Sequence, residues 1–129
     1  MTVDVVAAVA RRDGRLLITR RQAGVHLEGY WEFPGGKVDE EETHAEALER
    51  EMREELGVDT LTGTLLLETT HHYPEKSVTL FFYESTLLGE PRPLLGQDMR
   101  WVLPAELAGL PFPPADEALI ALLSGAAAR

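Results

Sequence analysis

One short helix constrains this chain more than any other part of its sequence. Thr43, followed three residues later by Glu46, is the side-chain pair that closes the first turn of a helix, and Gly57 stands where helices commonly end. We therefore predict a helix of about thirteen residues that ends at Leu56. At a period of 3.6 residues, one stripe of this helix is apolar and should pack on a sheet. The stripe comprises Ala45, Leu48, Met52 and Leu56.

A second stripe of the same helix carries carboxylates. Glu51, Glu54 and Glu55 are spaced i, i+3, i+4, so they lie side by side, roughly 110° from the apolar stripe. Such a run is typical either of a solvated face or of a site for a hard cation. Mg²⁺ takes oxygen ligands and commonly binds through a few carboxylates together with substrate phosphates. The carbonyl of Gly35 could add a neutral ligand, and Arg50, one turn before Glu54, could orient that carboxylate or soften the repulsion.

Apolar, β-branched segments on both sides of the helix predict strands. The expected strands are Val3–Ala10, Leu16–Arg20, Leu61–Thr70, Val78–Thr86 and the short Trp101–Leu103. Asp13-Gly14 predicts a hairpin turn between the first two, whereas residues 23–36 are interrupted by glycines and a proline and should form a loop. A second helix is expected over Ala115–Leu123, followed by a loose tail over 124–129. This order of elements predicts an α/β fold with helices layered on a mixed sheet.

Composition excludes several classes of protein. A chain of 129 residues has the usual size of one domain, so we expect a single domain over 1–129. The formal net charge of −10 has the wrong sign for a protein that neutralises a polymeric nucleic acid. Apolar runs reach about half a dozen residues, whereas a membrane span needs about 20. The chain has no cysteine and its first residues do not resemble a secretory signal, so we expect a cytoplasmic location. The sequence leaves open whether the protein is a monomer or a homodimer.

The residues around the helix follow one extended pattern. It is G-x5-E-x7-R-E-U-x-E-E-x-G-U, with U aliphatic, and it runs from Gly36 to Val58. This pattern resembles the box of the Nudix hydrolase family, which cleaves a nucleoside diphosphate linked to another group. The resemblance implies the Nudix fold, an α/β/α sandwich around a mixed β-sheet, and a Mg²⁺ cofactor that Mn²⁺ could replace.

The same resemblance implies roles for the box residues. The metal ligands would be Glu51, Glu54 and Glu55, with Gly35 from the preceding glycine corner. The general base would be Glu51 or a glutamate coupled to it, such as Glu42, and Arg50 would support the carboxylates. A hydrolase of this kind screens the phosphate charge with metal while a water attacks one phosphorus in line.

Segments outside the box narrow the resemblance to one branch. Ile18–Arg21, Glu32–Lys37 and Phe112–Glu117 are similar to the MutT branch, the 8-oxo-dGTP diphosphatases, and to the related CTP pyrophosphohydrolases. The expected substrate is therefore a small-molecule nucleoside triphosphate, cleaved to the monophosphate and pyrophosphate. The resemblance implies contacts with the nucleotide from Arg21, His26, Phe33, Lys37, Tyr73, Lys76 and Asp116.

Two positions leave alternatives open. MutT enzymes commonly carry asparagine where this chain has Asp116, and an ionised aspartate suits the amino group of cytosine better than the O6 acceptor of 8-oxoguanine. CTP, dCTP or 5-methyl-dCTP are therefore rival substrates. Where the family often has a further glutamate, this chain has Leu95, so either Asp98 replaces that glutamate or the site works with one carboxylate fewer. A non-catalytic nucleotide-binding module is the other class considered, although such modules usually lose box glutamates and none is lost here.

Other conspicuous side chains favour structural roles. His71 and His72 alternate across a strand and should be ordinary strand-end residues, without a metal. Trp31 and Trp101 should belong to the core or to a pocket wall. Thr19 and Ser77 have no base at a readable spacing, so nucleophilic catalysis by a hydroxyl is not expected.

Overall fold

A computed structural model of the protein describes residues 1–125, so residues 126–129 of the expected tail lie outside the described part. The strands are β1 (Thr2–Arg12), β2 (Arg15–Arg20), β3 (Trp31–Glu32), β4 (Gly35–Lys37), β5 (Thr60–His72), β6 (Ser77–Leu87) and β7 (Met99–Val102). The α-helices are α1 (His44–Leu56) and α2 (Glu117–Leu123), and two 3₁₀ helices cover Pro104–Gly109 and Pro114–Asp116.

The sheet is mixed, as expected. Strands lie in the order β3-β2-β1-β6-β5, with β4 paired to β1 and β7 paired to β2. The β1–β6 pair is parallel and the others are antiparallel. The predicted Asp13-Gly14 hairpin is confirmed, because both residues have the positive φ angles (52° and 77°) that a two-residue turn of this kind requires.

Both faces of the sheet are covered, which explains the nearly continuous apolar sequence of β1. Ala7 and Val9 face one layer, which contains Leu119 of α2, whereas Val6 and Ala8 face the layer that α1 covers. The predicted α/β/α sandwich is therefore confirmed. No helix among residues 1–125 is long and apolar enough to cross a bilayer.

Helix α1 has the predicted ends. The Thr43 hydroxyl accepts from the Glu46 amide, the Glu46 carboxylate accepts from the Thr43 amide, and Gly57 ends the helix in the left-handed region at φ 59°. The predicted apolar stripe needs one correction. Ala47, which the prediction missed, is fully buried, while Ala45 is only half-buried.

Two further corrections concern the expected loop and the second helix. Residues 23–36 are not a continuous loop, because Trp31–Glu32 pairs with β2 and Gly35–Lys37 pairs with β1. Strands of two and three residues are too short to show alternation in sequence. Helix α2 begins at Glu117, two residues later than predicted, because Pro114–Asp116 forms a 3₁₀ turn first.

Candidate active site

A cavity of about 710 Å³ opens beside β1 and β6, which form its floor. The turn between β5 and β6, the segment before β3 and the segment before α2 form its walls. All seven residues expected to contact a nucleotide line this cavity; they are Arg21, His26, Phe33, Lys37, Tyr73, Lys76 and Asp116. Its volume lies in the range of small-molecule sites.

Aromatic contacts hold part of the cavity wall. Phe33 is buried, stacks on Phe112 with ring centroids 5.5 Å apart, and meets Phe82 edge-on at 6.1 Å. It is therefore a fixed apolar wall. At the rim, His26 and Tyr73 meet edge-on at 5.7 Å, so the segment before β3 touches the β5–β6 turn above the cavity.

Asp116 is the most buried acid of the cavity, with only 7% of its surface exposed. Burial raises its pKa to about 7; the negative charge of Glu32 contributes to the rise, and the Arg21 guanidinium opposes it. Arg21 donates to Glu32 at 2.8 Å and also to the backbone carbonyl of His26. Burial likewise raises the pKa of Glu32, although Arg21 lowers it. Near neutral pH, Asp116 is therefore a carboxyl group that can either donate or accept a hydrogen bond.

A second, smaller cavity of about 220 Å³ lies next to the first. Arg21, Glu32 and Gly35 line both cavities, so they form the partition between them. On the far side of this partition lies Glu55 from the carboxylate stripe of α1. Glu55 and the large cavity are thus separated by Arg21, Glu32 and Gly35.

The glycine corner brings the backbone against the helix carboxylates. A Cβ at Gly36 would overlap the Glu51 carboxylate, whose two oxygens would lie 2.6 Å away. A Cβ at Gly35 would collide with the backbone of Val6 and Ala7. Neither glycine has a positive φ, so close approach is what distinguishes both positions. A side chain at Gly35 would clash with backbone, whereas a side chain at Gly36 would displace the Glu51 carboxylate. The corner places the Glu51 carboxylate against Gly36, a residue that lines the large cavity.

Arg50 hydrogen-bonds to three carboxylates at once and forms a longer ion pair with a fourth, that of Asp39, at 3.4 Å. It donates to both oxygens of Glu42 at 2.7 and 2.9 Å, to Glu51 at 2.9 Å, and to both oxygens of Glu54 at 3.2 Å. The expected Arg50–Glu54 contact is therefore confirmed, but the hydrogen bonds from Arg50 to Glu42 are shorter than those to Glu54. The Arg50 hydrogen bonds and the Asp39 amide hold the pKa of Glu42 at about 2.

The box carboxylates suit a hard cation in their chemistry. All of them offer oxygen atoms as metal ligands. Glu55 is crowded, because burial raises its pKa and the adjacent Glu51, which hydrogen-bonds to it, raises that pKa further. A divalent cation would relieve this crowding. Within residues 1–125, however, no three acidic or histidine side chains already converge closely enough to enclose an ion. The side chain of Glu54 is half exposed and turned to Arg50.

The candidates for the missing glutamate lie away from the large cavity. Asp98 lines neither cavity and forms an ion pair with Arg20 at 3.6 Å. Leu95 lies at the edge of the small cavity, beside Gln97. Gln97, which sequence reasoning did not single out, is buried and donates to the carbonyl of Glu55, so it fixes the end of α1.

The other predicted structural roles hold. Trp31 is buried in the core layer of α2, and Trp101 packs against the layer of α1. His72 ends β5 and contacts the Ser77 hydroxyl at 2.7 Å, and His71 meets Tyr73 edge-on at 4.6 Å. The two histidines are therefore strand-end residues, as expected.

Comparison with known proteins gives the family. The NUDIX domain profile matches residues 5–122. The chain is 38% identical over 120 residues to the 8-oxo-dGTP diphosphatase of Haemophilus influenzae, which spans 92% of this chain and 88% of that protein. It is 34% identical over 119 residues to the CTP pyrophosphohydrolase of Escherichia coli, with 92% and 88% covered. The solution structure of the E. coli ORF135 protein matches with a TM-score of 0.87 at 34% identity, over 99% of this chain and 93% of that chain.

These matches extend over the strands, the box and both cavities rather than over the box alone. The sandwich, the glycine corner and the carboxylate helix are accordingly those of a NUDIX domain, and the chain belongs to that family.

Proposed function

We propose that the protein is a nucleoside triphosphate pyrophosphohydrolase of the MutT type, dependent on Mg²⁺ with Mn²⁺ as a substitute. One observation carries the proposal: the nucleotide-sized cavity ends at the glycine corner, and the Glu51 carboxylate lies against Gly36 there. A nucleotide bound in the cavity would have its phosphates beside the carboxylate helix. The names of the curated relatives, 8-oxo-dGTP diphosphatase and CTP pyrophosphohydrolase, support the same reaction class.

In this proposal the metal ligands are Glu51, Glu54, Glu55 and the Gly35 carbonyl. A divalent cation held there would screen the phosphate chain and make a nearby water more acidic. Phosphate oxygens would complete the set of ligands, which agrees with the absence of a finished carboxylate cluster among residues 1–125. Lys37 lines the cavity at the same corner, where its ammonium would meet phosphate oxygens.

The geometry favours Glu51 over Glu42 as the general base. Both carboxylate oxygens of Glu42 already accept hydrogen bonds from Arg50, and one of them also accepts from the Asp39 amide. A carboxylate engaged in this way is a weak proton acceptor. Glu42 and Arg50 would instead hold the helix carboxylates in place.

Asp116 is the proposed reader of the base. 8-Oxoguanine presents an acceptor at O6 next to a donor at N7, and a neutral carboxyl group presents the matching donor and acceptor. Burial of Asp116, which raises its pKa to about 7, supports this neutral form. The neutral Asp116 would then take the place of the asparagine that MutT enzymes commonly carry at this position. For this reason 8-oxo-dGTP is our first candidate substrate.

Cytidine nucleotides are the second candidate. An ionised Asp116 would accept from the cytosine amino group, and the neutral form would also donate to the neighbouring ring nitrogen. The 34% identity with the E. coli CTP pyrophosphohydrolase favours keeping this alternative.

A substrate panel tests the proposal. The purified protein is incubated with 8-oxo-dGTP, dGTP, CTP, dCTP and 5-methyl-dCTP, with Mg²⁺, with Mn²⁺ or with chelator, and released pyrophosphate is measured. We expect metal-dependent turnover of 8-oxo-dGTP, and loss of about 100-fold or more for Glu51→Gln and Glu54→Gln. The exposed Glu40 belongs to the same acidic segment but to none of the described ion pairs, so Glu40→Gln is the matched control and should keep full turnover.

Three outcomes would contradict parts of this proposal. Absence of turnover for the whole panel would exclude the activity, and tight nucleotide binding without hydrolysis would instead indicate a binding module. A fully active Glu54→Gln variant would exclude Glu54 as a ligand. A preference for CTP or dCTP over 8-oxo-dGTP would select the second substrate class.

A further inference from the structure

Glu32 is a second carboxyl group at the end of the large cavity where Asp116 lies. Glu32 lines this cavity together with Asp116, and its side chain is 30% exposed. After burial, the negative charge of Glu32 is the next cause of the raised pKa of Asp116, so the two carboxyl groups are close neighbours. A base that reaches Asp116 therefore also approaches the Glu32 carboxylate.

The protein holds one oxygen of Glu32 and leaves the other to a ligand. Glu32 Oε1 accepts from the Arg21 guanidinium at 2.8 Å, and Arg21 is itself fixed by its hydrogen bond to the His26 carbonyl. Within residues 1–125, Glu32 Oε2 accepts no hydrogen bond. Arg21 supplies the opposite charge next to the carboxylate, so Glu32 is an oriented acceptor with unused capacity.

The Asp116 carboxyl group has unused capacity as well. It is 7% exposed, does not cap α2, and forms no side-chain hydrogen bond with any group of residues 1–125. In the same part of the chain, the fully buried oxygens without a partner belong to Thr19 and Thr60, so the Asp116 oxygens keep some accessible surface. Buried polar groups are nearly always hydrogen-bonded, so an unpartnered carboxyl group at a cavity wall indicates a ligand there.

The bases under consideration differ in what they present to two adjacent carboxyl groups. 8-Oxoguanine carries N7–H, O6, N1–H and the 2-amino group in succession along one edge. The first two match a neutral Asp116, and the last two are both donors, which suit a carboxylate that only accepts. Adenine instead has an acceptor at N1, and cytosine has acceptors at N3 and O2. A carboxylate beside Asp116 would repel these acceptors.

We infer that Glu32, held by Arg21, is a specificity-determining residue that accepts hydrogen bonds from N1–H and the 2-amino group of a guanine-type base. This inference rests on the proposed function and names the substrate class of the same site. It selects 8-oxo-dGTP over cytidine and adenine nucleotides. Because Arg21 already fixes the carboxylate, little side-chain freedom is lost when the base binds.

Two substrates that differ by one amino group isolate this contact. 8-Oxo-dITP is 8-oxo-dGTP without the 2-amino group, and kcat/KM is measured for both, together with CTP. The proteins are the unmodified chain, Glu32→Gln, which keeps the shape but loses the charge, and Glu28→Gln. Glu28 is exposed, precedes β3 and lines neither cavity, so Glu28→Gln is the matched control. Calorimetric binding of 8-oxo-dGMP and 8-oxo-dIMP gives the same comparison for a variant too slow to assay.

We expect the unmodified protein to have a kcat/KM about 10-fold or more higher for 8-oxo-dGTP than for 8-oxo-dITP, because 8-oxo-dITP lacks a charge-assisted hydrogen bond. In Glu32→Gln this ratio should fall to about 2. The kcat/KM for CTP relative to 8-oxo-dGTP should rise by about 10-fold, because the glutamine amide can donate to N3 of cytosine. Glu28→Gln should keep both ratios. A ratio of two substrates is independent of the fraction of protein that is folded.

The failures of the two proposals are distinguishable. If the unmodified protein hydrolyses no nucleotide, the proposed function is wrong and this inference falls with it. If the unmodified protein is active but prefers CTP, or treats 8-oxo-dGTP and 8-oxo-dITP alike, the inference alone is wrong. It is also wrong if Glu32→Gln lowers kcat/KM, or monophosphate binding, by the same factor with and without the 2-amino group. Glu32 would then act only by holding Arg21.

Discussion

Replacing Asp116 by asparagine should stabilise the protein at pH 8 much more than at pH 5. Asp116 is 7% exposed, and burial raises its pKa from 3.8 to about 7, with a contribution from Glu32. Because the folded-state pKa lies above the unfolded-state pKa, the unfolded chain releases its proton first as the pH rises. The unmodified protein therefore loses stability from about pH 4 upward, until the pH exceeds the folded-state pKa.

The magnitude follows from the size of the shift. A rise in pKa from 3.8 to about 7 corresponds to roughly 4 kcal/mol of unfolding free energy once both states are ionised. Roughly 3 kcal/mol of this amount is lost between pH 5 and pH 8, because the loss begins near the unfolded-state pKa of 3.8 and its first part has already occurred at pH 5. Asparagine has nearly the same shape and no charge at either pH. The stabilisation by Asp116→Asn should therefore grow by roughly 3 kcal/mol over this interval.

Urea unfolding of both proteins at the two pH values measures this difference directly. Titrating groups distant from Asp116 contribute equally in both proteins and cancel in the comparison, whereas Glu32, whose charge acts on Asp116, contributes to the difference together with it. Asp4→Asn, at an exposed position, is the control and should show the same effect at both pH values. If Asp116→Asn changes the free energy of unfolding equally at pH 5 and pH 8, Asp116 is not a carboxyl group whose ionisation burial opposes. In that case, the KM of the unmodified protein for 8-oxo-dGTP should also stay constant above pH 7, whereas ionisation of a buried Asp116 should raise it.

Two further predictions concern the helix carboxylates. Gly36→Ala should lower kcat by about 100-fold, because the new Cβ would overlap the Glu51 carboxylate. Gly109→Ala is the control and should leave kcat unchanged, because no atom lies within 4 Å of its new Cβ. Equal kcat values for the two variants would show that Glu51 need not lie at the glycine corner. Arg50→Lys should lower kcat by about 10-fold or more, because lysine keeps the charge but loses the bidentate contact with Glu42. If a steady-state assay gives Arg50→Lys the same kcat as the unmodified protein, this contact has no positioning role.

Local signals in the sequence were sufficient for much of the fold. The Thr43 and Glu46 cap, the Gly57 end and the Asp13-Gly14 turn involve contacts within a few residues, so their chemistry is readable directly. The spacing of Glu51, Glu54 and Glu55 was readable for the same reason, since one helix sets it. The position of Glu51 against Gly36 is consistent with the box pattern.

Features made by pairing between distant segments were not readable. β3 and β4 are strands only because they pair with β2 and β1, respectively. Neither is long enough to show an alternation of apolar and polar residues. The role of Glu32 was missed because its position between two cavities depends on Arg21 and on the β2–β3 register. The buried hydroxyl of Thr19, which has no hydrogen-bond partner within residues 1–125, is likewise a property of packing, since a threonine in a strand carries no sign of whether its oxygen has a partner.

The distribution of charge connects the two cavities to the need for a cation. Three basic side chains, Arg21, Lys37 and Lys76, line the large cavity, and the carboxyl groups of Glu32 and Glu75 offset part of their charge. The helix carboxylates below the corner make the phosphate end negative, and Arg50 is already occupied by Glu42, Glu51 and Glu54. A triphosphate entering this end would meet repulsion that the protein's own cations do not balance. Nucleotide affinity should therefore depend on a divalent cation before any chemistry occurs, because the acidic helix attracts the metal and the metal in turn attracts the phosphates.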